Sequence, residues 1–206
     1  GMYLYNSSPY LEYVTIINNN EELLWPYGNG GGMYLNNSHP TLENVVINEN
    51  NISNHGAGIY LSVSNPTFRN VSIGMNSGEN GSGIYLSSSN PILENVIIEN
   101  NIAIGTFGGG AGMLIISSNP ILNNVIIRGN TANAKGGGIY LTEGGTLNFA
   151  NQVLISNNYS IGHGGGLFVS ALSNVNLQNS TIAANIVGEG DVFGAGIYSD
   201  GGTVNL

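Results

Sequence analysis

The sequence contains no cysteine, and only 3 of its 206 residues are lysine or arginine, against 12 acidic residues. The absence of cysteine excludes disulfide scaffolds and cysteine-ligated zinc or iron–sulfur sites. A net charge of −9 with three basic side chains argues against binding of nucleic acid. No apolar run approaches the ~20 residues of a membrane-spanning helix, so no transmembrane segment is expected. What remains is a chain with 32 Gly, 34 Asn and 41% hydrophobic residues, which is too apolar for ordinary disorder.

A short motif of glycine, an aliphatic residue and an aromatic residue recurs along the chain. The motif glycines are 25 to 31 residues apart, with a looser copy at Gly112: Gly1, Gly32, Gly58, Gly83, Gly112, Gly138, Gly166 and Gly196. Counted from each glycine, the first five copies share Pro at offset eight, Leu or Phe at ten, Val at thirteen, Ile at fifteen and Asn at eighteen. Because these columns hold their register over five copies, the chain is built from structural repeats.

Within a repeat, the pattern has a period of two, as in Ile59, Tyr60 and Leu61. Short alternating runs bounded by Pro, Asn and Gly predict β-strands joined by turns. Three short strands in each repeat predict a chain that winds upward, with coils stacked at ~4.8 Å. A propeller blade needs four strands and about 40 residues or more, which these repeats do not supply. The predicted fold is therefore all-β, a parallel β-helix of seven to eight coils forming one domain over residues 1–206.

Asparagine occupies two columns that we expect to form ladders along the stack. Both columns are predicted to turn corners of the coil in a left-handed conformation while their side-chain amides hydrogen-bond between coils. The members are Asn44, Asn70, Asn95 and Asn124 at offset twelve, and Asn50, Asn76, Asn101 and Asn130 at offset eighteen.

The few charged residues also follow the columns. Offset eleven places Arg69 between Glu43 and Glu94, and offset sixteen places Glu99 beside Arg128. Opposite charges on neighbouring strands stabilise a sheet, whereas like charges repel. The pattern predicts structural ion pairs on a solvated face.

Several stretches resemble a known family. Ser118-Asn119-Pro120-Ile121-Leu122-Asn123-Asn124-Val125-Ile126-Ile127, followed by Gly129-Asn130-Thr131-Ala132 and Gly136-Gly137-Gly138-Ile139-Tyr140, resembles the right-handed parallel β-helix repeats of bacterial surface proteins. These include polymorphic outer-membrane proteins and adhesin-type passenger domains on the pectin-lyase-like fold. The resemblance implies a right-handed coil and an extracellular or cell-surface location. It implies little about activity, because that fold hosts lyases, glycosidases, adhesins and fibres.

Catalytic and metal sites are not expected. Glycoside hydrolysis needs two carboxylates about 5–10 Å apart, one with a raised pKa, and Arg69 divides the glutamate column. A calcium-assisted lyase would need clustered Asp ligands and a nearby base, but Asp191 and Asp200 are the only aspartates and Lys135 lies about two coils away. The histidines His39, His55 and His163 fall at different offsets, which indicates solvated turn residues rather than metal ligands. We expect a non-enzyme without a cofactor.

Aromatic residues form a column at offset two, between inward-pointing neighbours. We expect this column to face outward: Tyr3, Tyr34, Tyr60, Tyr85, Tyr140, Phe168 and Tyr198, with Leu114 in the looser copy. One interpretation is ring-on-ring stacking that stabilises the rod. The other is a platform for sugar rings or for a partner rod.

Apolar residues also occur in the loops of the three longest coils. Trp25, Tyr27, Phe107 and Phe193 lie three coils apart and could form a lateral row as an interface. The alternative for the Leu-Leu-Trp-Pro-Tyr loop is a flap over the first coil.

Neither end of the sequence shows a cap, since the chain starts at the first residue of a repeat and stops part-way through another. Uncapped coil edges favour axial self-association into filaments, or continuation by further coils of the same protein. The sequence thus predicts a non-catalytic extracellular structural or adhesive solenoid. The alternative is a carbohydrate-binding or polysaccharide-cleaving β-helix protein.

Overall fold

The repeats fold into stacked coils that use β-strands alone. The computed structural model describes residues 1–21, 28–106, 108–190 and 192–206, and the coils in these ranges contain no helix. Three parallel sheets run along the stack; every coil adds strands to two of them, and the third contains strands from the third to the seventh coil. The predicted all-β parallel solenoid is confirmed, with about seven coils.

The first sheet, sheet A, contains the glycine–aliphatic–aromatic motif. Its strands pair in chain order, and each residue lies beside its equivalent in the next coil, so that Tyr3 pairs with Tyr34 and Leu4 with Leu35. The eight strands are Met2–Tyr5, Met33–Asn36, Ile59–Ser62, Ile84–Ser87, Met113–Ile116, Ile139–Thr142, Leu167–Ser170 and Ile197–Asp200.

The second sheet, sheet B, contains both the Leu column and the Val and Ile columns. Its eleven strands are Tyr10–Glu12, Thr15–Ile17, Thr41–Glu43, Val46–Asn48, Thr67–Gly74, Ile92–Glu99, Ile121–Arg128, Thr146–Ser156, Asn174–Asn176, Ser180–Ala183 and Thr203–Asn205. The two strands expected from the sequence in this part of each coil are separate in the first two coils. From Thr67–Gly74 onward for three coils they form one bent strand of eight residues.

The third sheet, sheet C, is short. Its strands of two residues are Ser77–Gly78, Ile102–Ala103, Thr131–Ala132, Tyr159–Ser160 and Ile186–Val187. Small side chains face inward here, and Ala103, Ala111 and Ala132 form a separate buried cluster. A variable loop connects sheet C to the sheet A strand of the next coil.

The main core is a set of aliphatic columns facing the axis of the coil. Leu42, Phe68, Leu93 and Leu122 are fully buried in one column, and the Val and Ile columns of sheet B are buried beside it. Each core residue packs against an equivalent apolar residue of the neighbouring coil, so the repeat itself specifies an apolar core. In the sixth coil Leu122 pairs with Phe149 and Asn123 with Asn151, so Ala150 forms a bulge that accounts for one residue of the two-residue shift of the sequence pattern.

Each coil turns three corners with residues in the left-handed conformation. At offset twelve these residues are the predicted ones, and Asn44, Asn70, Asn95 and Asn124 have φ of 53° to 56°. At the next corner the prediction is wrong. The left-handed residue there lies at offset seventeen, as in Glu49 (φ 58°), Met75 (φ 54°) and Asn100 (φ 55°), one position before the expected asparagine.

The offset-eighteen asparagines instead point into the coil, where they form what we call the inner asparagine ladder. Its members are Asn19, Asn50, Asn76, Asn101, Asn130, Asn158 and Asn185. Each Nδ2 donates to Oδ1 of the next member at 2.8–3.0 Å, and each backbone N–H donates to the same oxygen. The second amide hydrogen of Asn101 reaches the carbonyl oxygen of Ile73 in the preceding coil. A buried polar column is tolerated because its groups are paired in this way.

Serine forms a second buried ladder that the sequence analysis missed. Ser38, Ser64, Ser89 and Ser118 are fully buried at offset six. The backbone N–H of each donates to the hydroxyl oxygen of the next at 2.9–3.0 Å. The repetition of Ser before Asn-Pro or His-Pro is visible in the sequence and is the signal that could have indicated it.

Candidate functional site

The aromatic column of sheet A forms a continuous stack of rings over its first four members. The ring centroids are 5.2 Å apart for Tyr3 and Tyr34, 5.0 Å for Tyr34 and Tyr60, and 4.7 Å for Tyr60 and Tyr85. Tyr3 is 60% exposed, and the next three tyrosines are partly covered. These distances suit the favourable stacked and edge-to-face arrangements of aromatic pairs.

The column is not an open stripe along its whole length. Leu114 interrupts the rings and is only 4% exposed, and Phe168 is only 1% exposed. The expectation that Phe168 belongs to a surface face is therefore wrong, although its ring still contacts Tyr140 at 5.1 Å and Tyr198 at 5.3 Å. The cover comes from the loops that precede sheet A.

In these loops, one residue of each coil occupies an equivalent position along the stack. We call this set of residues the loop column. Its members lie three residues before each motif glycine: Asn29, His55, Asn80, Gly109, Lys135, His163 and Phe193. The left-handed glycine after each member donates its N–H to the carbonyl oxygen of the next member, as Gly56 does to Asn80 at 3.0 Å and Gly136 to His163 at 3.1 Å.

The loop column lies over the aromatic column. His55 stacks on Tyr85 with ring centroids 5.1 Å apart, and His163 stacks on Tyr198 at 4.5 Å. Lys135 places its ammonium 4.7 Å from the centre of the Phe168 ring, a cation–π contact. Two of the three histidines and the only lysine therefore occupy equivalent positions.

The expectation that the histidines are solvated turn residues is wrong for His55 and His163. Their side chains are half-buried against aromatic rings. Offsets counted forward from the preceding glycine do not reveal this equivalence, because a loop of variable length lies between. Counting back from the following glycine gives three residues in both cases.

Burial shifts the pKa values of tyrosine and histidine side chains on this surface. It raises the pKa of Tyr60, and it raises the pKa of Tyr85 to about 12, with smaller contributions from Tyr60, Glu143 and Glu79. Burial also lowers the pKa of His55, while the Glu79 carboxylate, 3.6 Å from Nδ1, opposes that shift.

The predicted ion pairs are present on sheet B. Arg69 Nε lies 3.0 Å from Glu94 Oε2, and Arg128 Nε lies 2.7 Å from Glu99 Oε2. Glu43 accepts a hydrogen bond from the Tyr10 hydroxyl at 2.7 Å, which is the main reason that the pKa of Tyr10 is raised to about 12. Glu94 and Glu99 are thus held in ion pairs, and Glu43 in a hydrogen bond.

Metal ligands do not converge in the part of the chain that the structure describes, where no three or more His, Asp or Glu side chains form a group. Nor do these residues include a helix long and apolar enough to cross a membrane.

The expected interface loops are mostly beyond the described ranges. Trp25, Tyr27 and Phe107 lie outside them, so the proposed lateral row stays a prediction. Phe193 is 59% exposed, and its ring lies parallel to that of His163 with centroids 5.7 Å apart. It belongs to the loop column and extends it to the seventh coil.

A family model described as a right-handed β-helix region matches residues 1–154 of the chain. No curated protein and no solved structure matches it.

Proposed function

The chain belongs to the right-handed β-helix family, and from this premise we propose that it is a non-catalytic structural or adhesive solenoid of the extracellular space or cell surface. Membership of the family fixes the fold without fixing the activity, because the same coil carries enzymes and non-enzymes. The location is proposed from the likeness of the repeats to those of bacterial surface proteins.

The observation that carries this proposal is the inner asparagine ladder. It continues through seven coils, and all of the amides from Asn50 to Asn158 both donate to and accept from neighbouring coils. The ion pairs, the serine ladder and the aromatic stack likewise join each coil to the next. Side chains used in this way stiffen a rod along its axis, and no catalytic arrangement is needed to explain them.

The proposed mode of assembly is axial. The edge strands of a β-helix present unpaired N–H and C=O groups that template further pairing. Core residues of the outermost coils, such as Leu11 and Ile182, are only partly buried and would gain cover from another coil. We propose that this cover comes from a second copy or from further coils of the same protein, joined head to tail.

Electron microscopy of the purified protein over a range of concentrations tests the assembly. We expect rods that lengthen with concentration, with an axial repeat of roughly 35 Å for seven coils. A variant with Leu11→Lys and Ile182→Lys places charges on both end faces and should give short particles. Short particles of one size from the unmodified chain at every concentration would contradict axial self-association.

A second candidate function is glycan binding on the aromatic column. It is favoured by the exposed ring of Tyr3 and the partly covered rings of Tyr34, Tyr60 and Tyr85, which form a stack of the kind on which sugar rings pack. The test compares retention of Tyr60→Ser and Tyr85→Ser on insoluble glycans with that of Tyr13→Ser, an exposed tyrosine outside the column. Lost retention at an unchanged melting temperature would support the platform. A large loss of stability alone would assign the column to structure.

A further inference from the structure

A cleft opens on the loop side of the solenoid, where three consecutive coils meet. It has a volume of about 380 Å³ and is lined by Thr106, Asn133, Ala134, Lys135, Ile161 and His163, with Gly162 between the last two. This loop cleft is in the size range of sites for small ligands. Two members of the loop column, Lys135 and His163, line it, and no tyrosine of the aromatic column does.

The distribution of cations makes this cleft unusual in an acidic chain. Both arginines are held by glutamates of a neighbouring coil, at 3.0 Å for Arg69 and 2.7 Å for Arg128. Lys135, the only lysine of the sequence, has no carboxylate within 4.0 Å among the residues that the structure describes. Its ammonium lies against the Phe168 ring at the margin of the cleft, so a positive charge is presented there without an acidic partner from these residues.

His163 adds a hydrogen-bond donor of fixed position. Its Nδ1 accepts the backbone N–H of Phe193 at 2.9 Å, which leaves the proton of the neutral ring on Nε2. The rings of Phe193 and Tyr198 stack against the imidazole with centroids 5.7 and 4.5 Å away, so the ring cannot turn without losing both contacts. Within the described residues the side chain makes its hydrogen bond through Nδ1, which leaves Nε2 to a ligand.

The remaining walls are apolar or neutral. Ile161 is 49% exposed at the cleft, next to Ala134. Asn133 donates its amide to the carbonyl oxygen of Ile104 at 3.1 Å, which leaves Oδ1 as an acceptor. No acidic side chain is among the lining residues, so a negative ligand would meet no like charge from them.

We propose that the loop cleft is a binding site for a small organic anion, whose carboxylate contacts Lys135 and His163 and whose apolar part lies against Ile161. A charge-assisted contact to Lys135 supplies most of the discrimination between an acid and a neutral ligand of the same shape. This site is independent of the structural role of the coils, and neither proposal requires the other.

Hexanoate and 1-hexanol form a matched pair of probes for titration calorimetry and for perturbation of amide chemical shifts. We expect hexanoate to bind with millimolar affinity, about tenfold more tightly than hexanol. Lys135→Gln should abolish that preference and Lys135→Arg should retain part of it. Arg69→Gln removes the same charge at a distant ion pair and should leave binding unchanged.

Three results would overturn the proposal. They are equal affinities for hexanoate and hexanol, unchanged hexanoate binding by a folded Lys135→Gln variant, and chemical-shift changes that fall outside the residues lining the cleft. Melting temperatures of each variant show whether the coil is intact, so that a folding defect is recognised separately from a loss of binding.

Discussion

Asn101 donates two hydrogen bonds to a single oxygen, Oδ1 of Asn130, one from its backbone N–H and one from its side-chain amide, both at 3.0 Å. Asn76 makes the same pair of bonds to Asn101. The side-chain oxygen of each of these members therefore accepts two hydrogen bonds from buried donors of the coil before it.

Asn101→Ala removes the acceptor of these two donors on Asn76. Because both donors are buried, we expect a loss of about 2–5 kcal/mol in the free energy of unfolding. Asn95→Gly is the matched control in the same coil, since it deletes two exposed ladder bonds, one to Asn70 and one from Asn124, and glycine tolerates the φ of 56°. It should cost about 1 kcal/mol or less. Urea unfolding followed by circular dichroism measures both, and equal costs would contradict a dominant role for the inner ladder.

Val63→Asn should stabilise the protein. Val63 occupies a left-handed corner with φ of 49°, between Asn37 and Ser88 in the same column. A β-branched residue is strained there, whereas Asn is tolerated, so relief of about 1 kcal/mol is expected. That gain corresponds to a rise of about 2–4 °C in melting temperature for a domain of this size. Val63→Thr keeps the branched carbon and should bring no gain; a similar rise for Thr would refute the explanation.

Arg69→Glu would place a carboxylate between Glu43 and Glu94 on neighbouring strands. The side chains of the existing pair are 47% and 37% exposed, so solvent screens it and a loss of about 1 kcal/mol is expected. Thermal melts in about 1 M NaCl should recover most of the loss, because the screening length is then only ~3 Å. Arg69→Gln should lose less and respond less to salt. A salt-independent loss would instead indicate a packing defect.

As the pH is lowered, the melting temperature should fall in two separate pH ranges. Burial lowers the pKa of His55 below its ordinary 6.5, so the unfolded chain takes up the proton first and stability declines as the pH falls below that value. Hydrogen bonds from Ser53 lower the pKa of Glu21 below its ordinary 4.5, so its contribution is present above that value and is lost as the pH falls through the lowered pKa.

Variants separate the two ranges. His55→Gln should remove the first decline, and Glu21→Gln the second. A first decline that persists in His55→Gln would assign it to another group.

The fold was predictable because its information is repeated in every coil. One column of Leu42, Phe68 and Leu93 specifies an inward face, and neighbouring coils enforce the same register. The conformation at the second asparagine corner could not be predicted in the same way. Sequences such as Asn18-Asn19 offer two adjacent candidates, and only packing decides which one points inward.

The surface was less predictable because it depends on the loops between sheets. Lys135 contacts Phe168, although a variable loop and a full coil separate the two residues in the sequence. Periodicity placed Phe168 in the outward column correctly, but it gave no information on what covers that column. The burial of Phe168 thus follows from loop conformation, which the repeat does not encode.

The loops that differ in length lie between sheet C and sheet A, so residues are inserted mainly on one side of the molecule. In the first five coils the segment from each motif glycine to its ladder asparagine has constant length, whereas Asn76 is seven residues from the next glycine and Asn19 is thirteen. An added residue in that segment has to be taken up within a strand or a corner, as in the sixth coil, where the bulge in sheet B takes up one of two added residues. We therefore expect peptides grafted into the loops between sheet C and sheet A to lie in a row on one side of the solenoid. The distance between neighbouring peptides should equal the spacing of the coils, and the coils themselves should be unchanged.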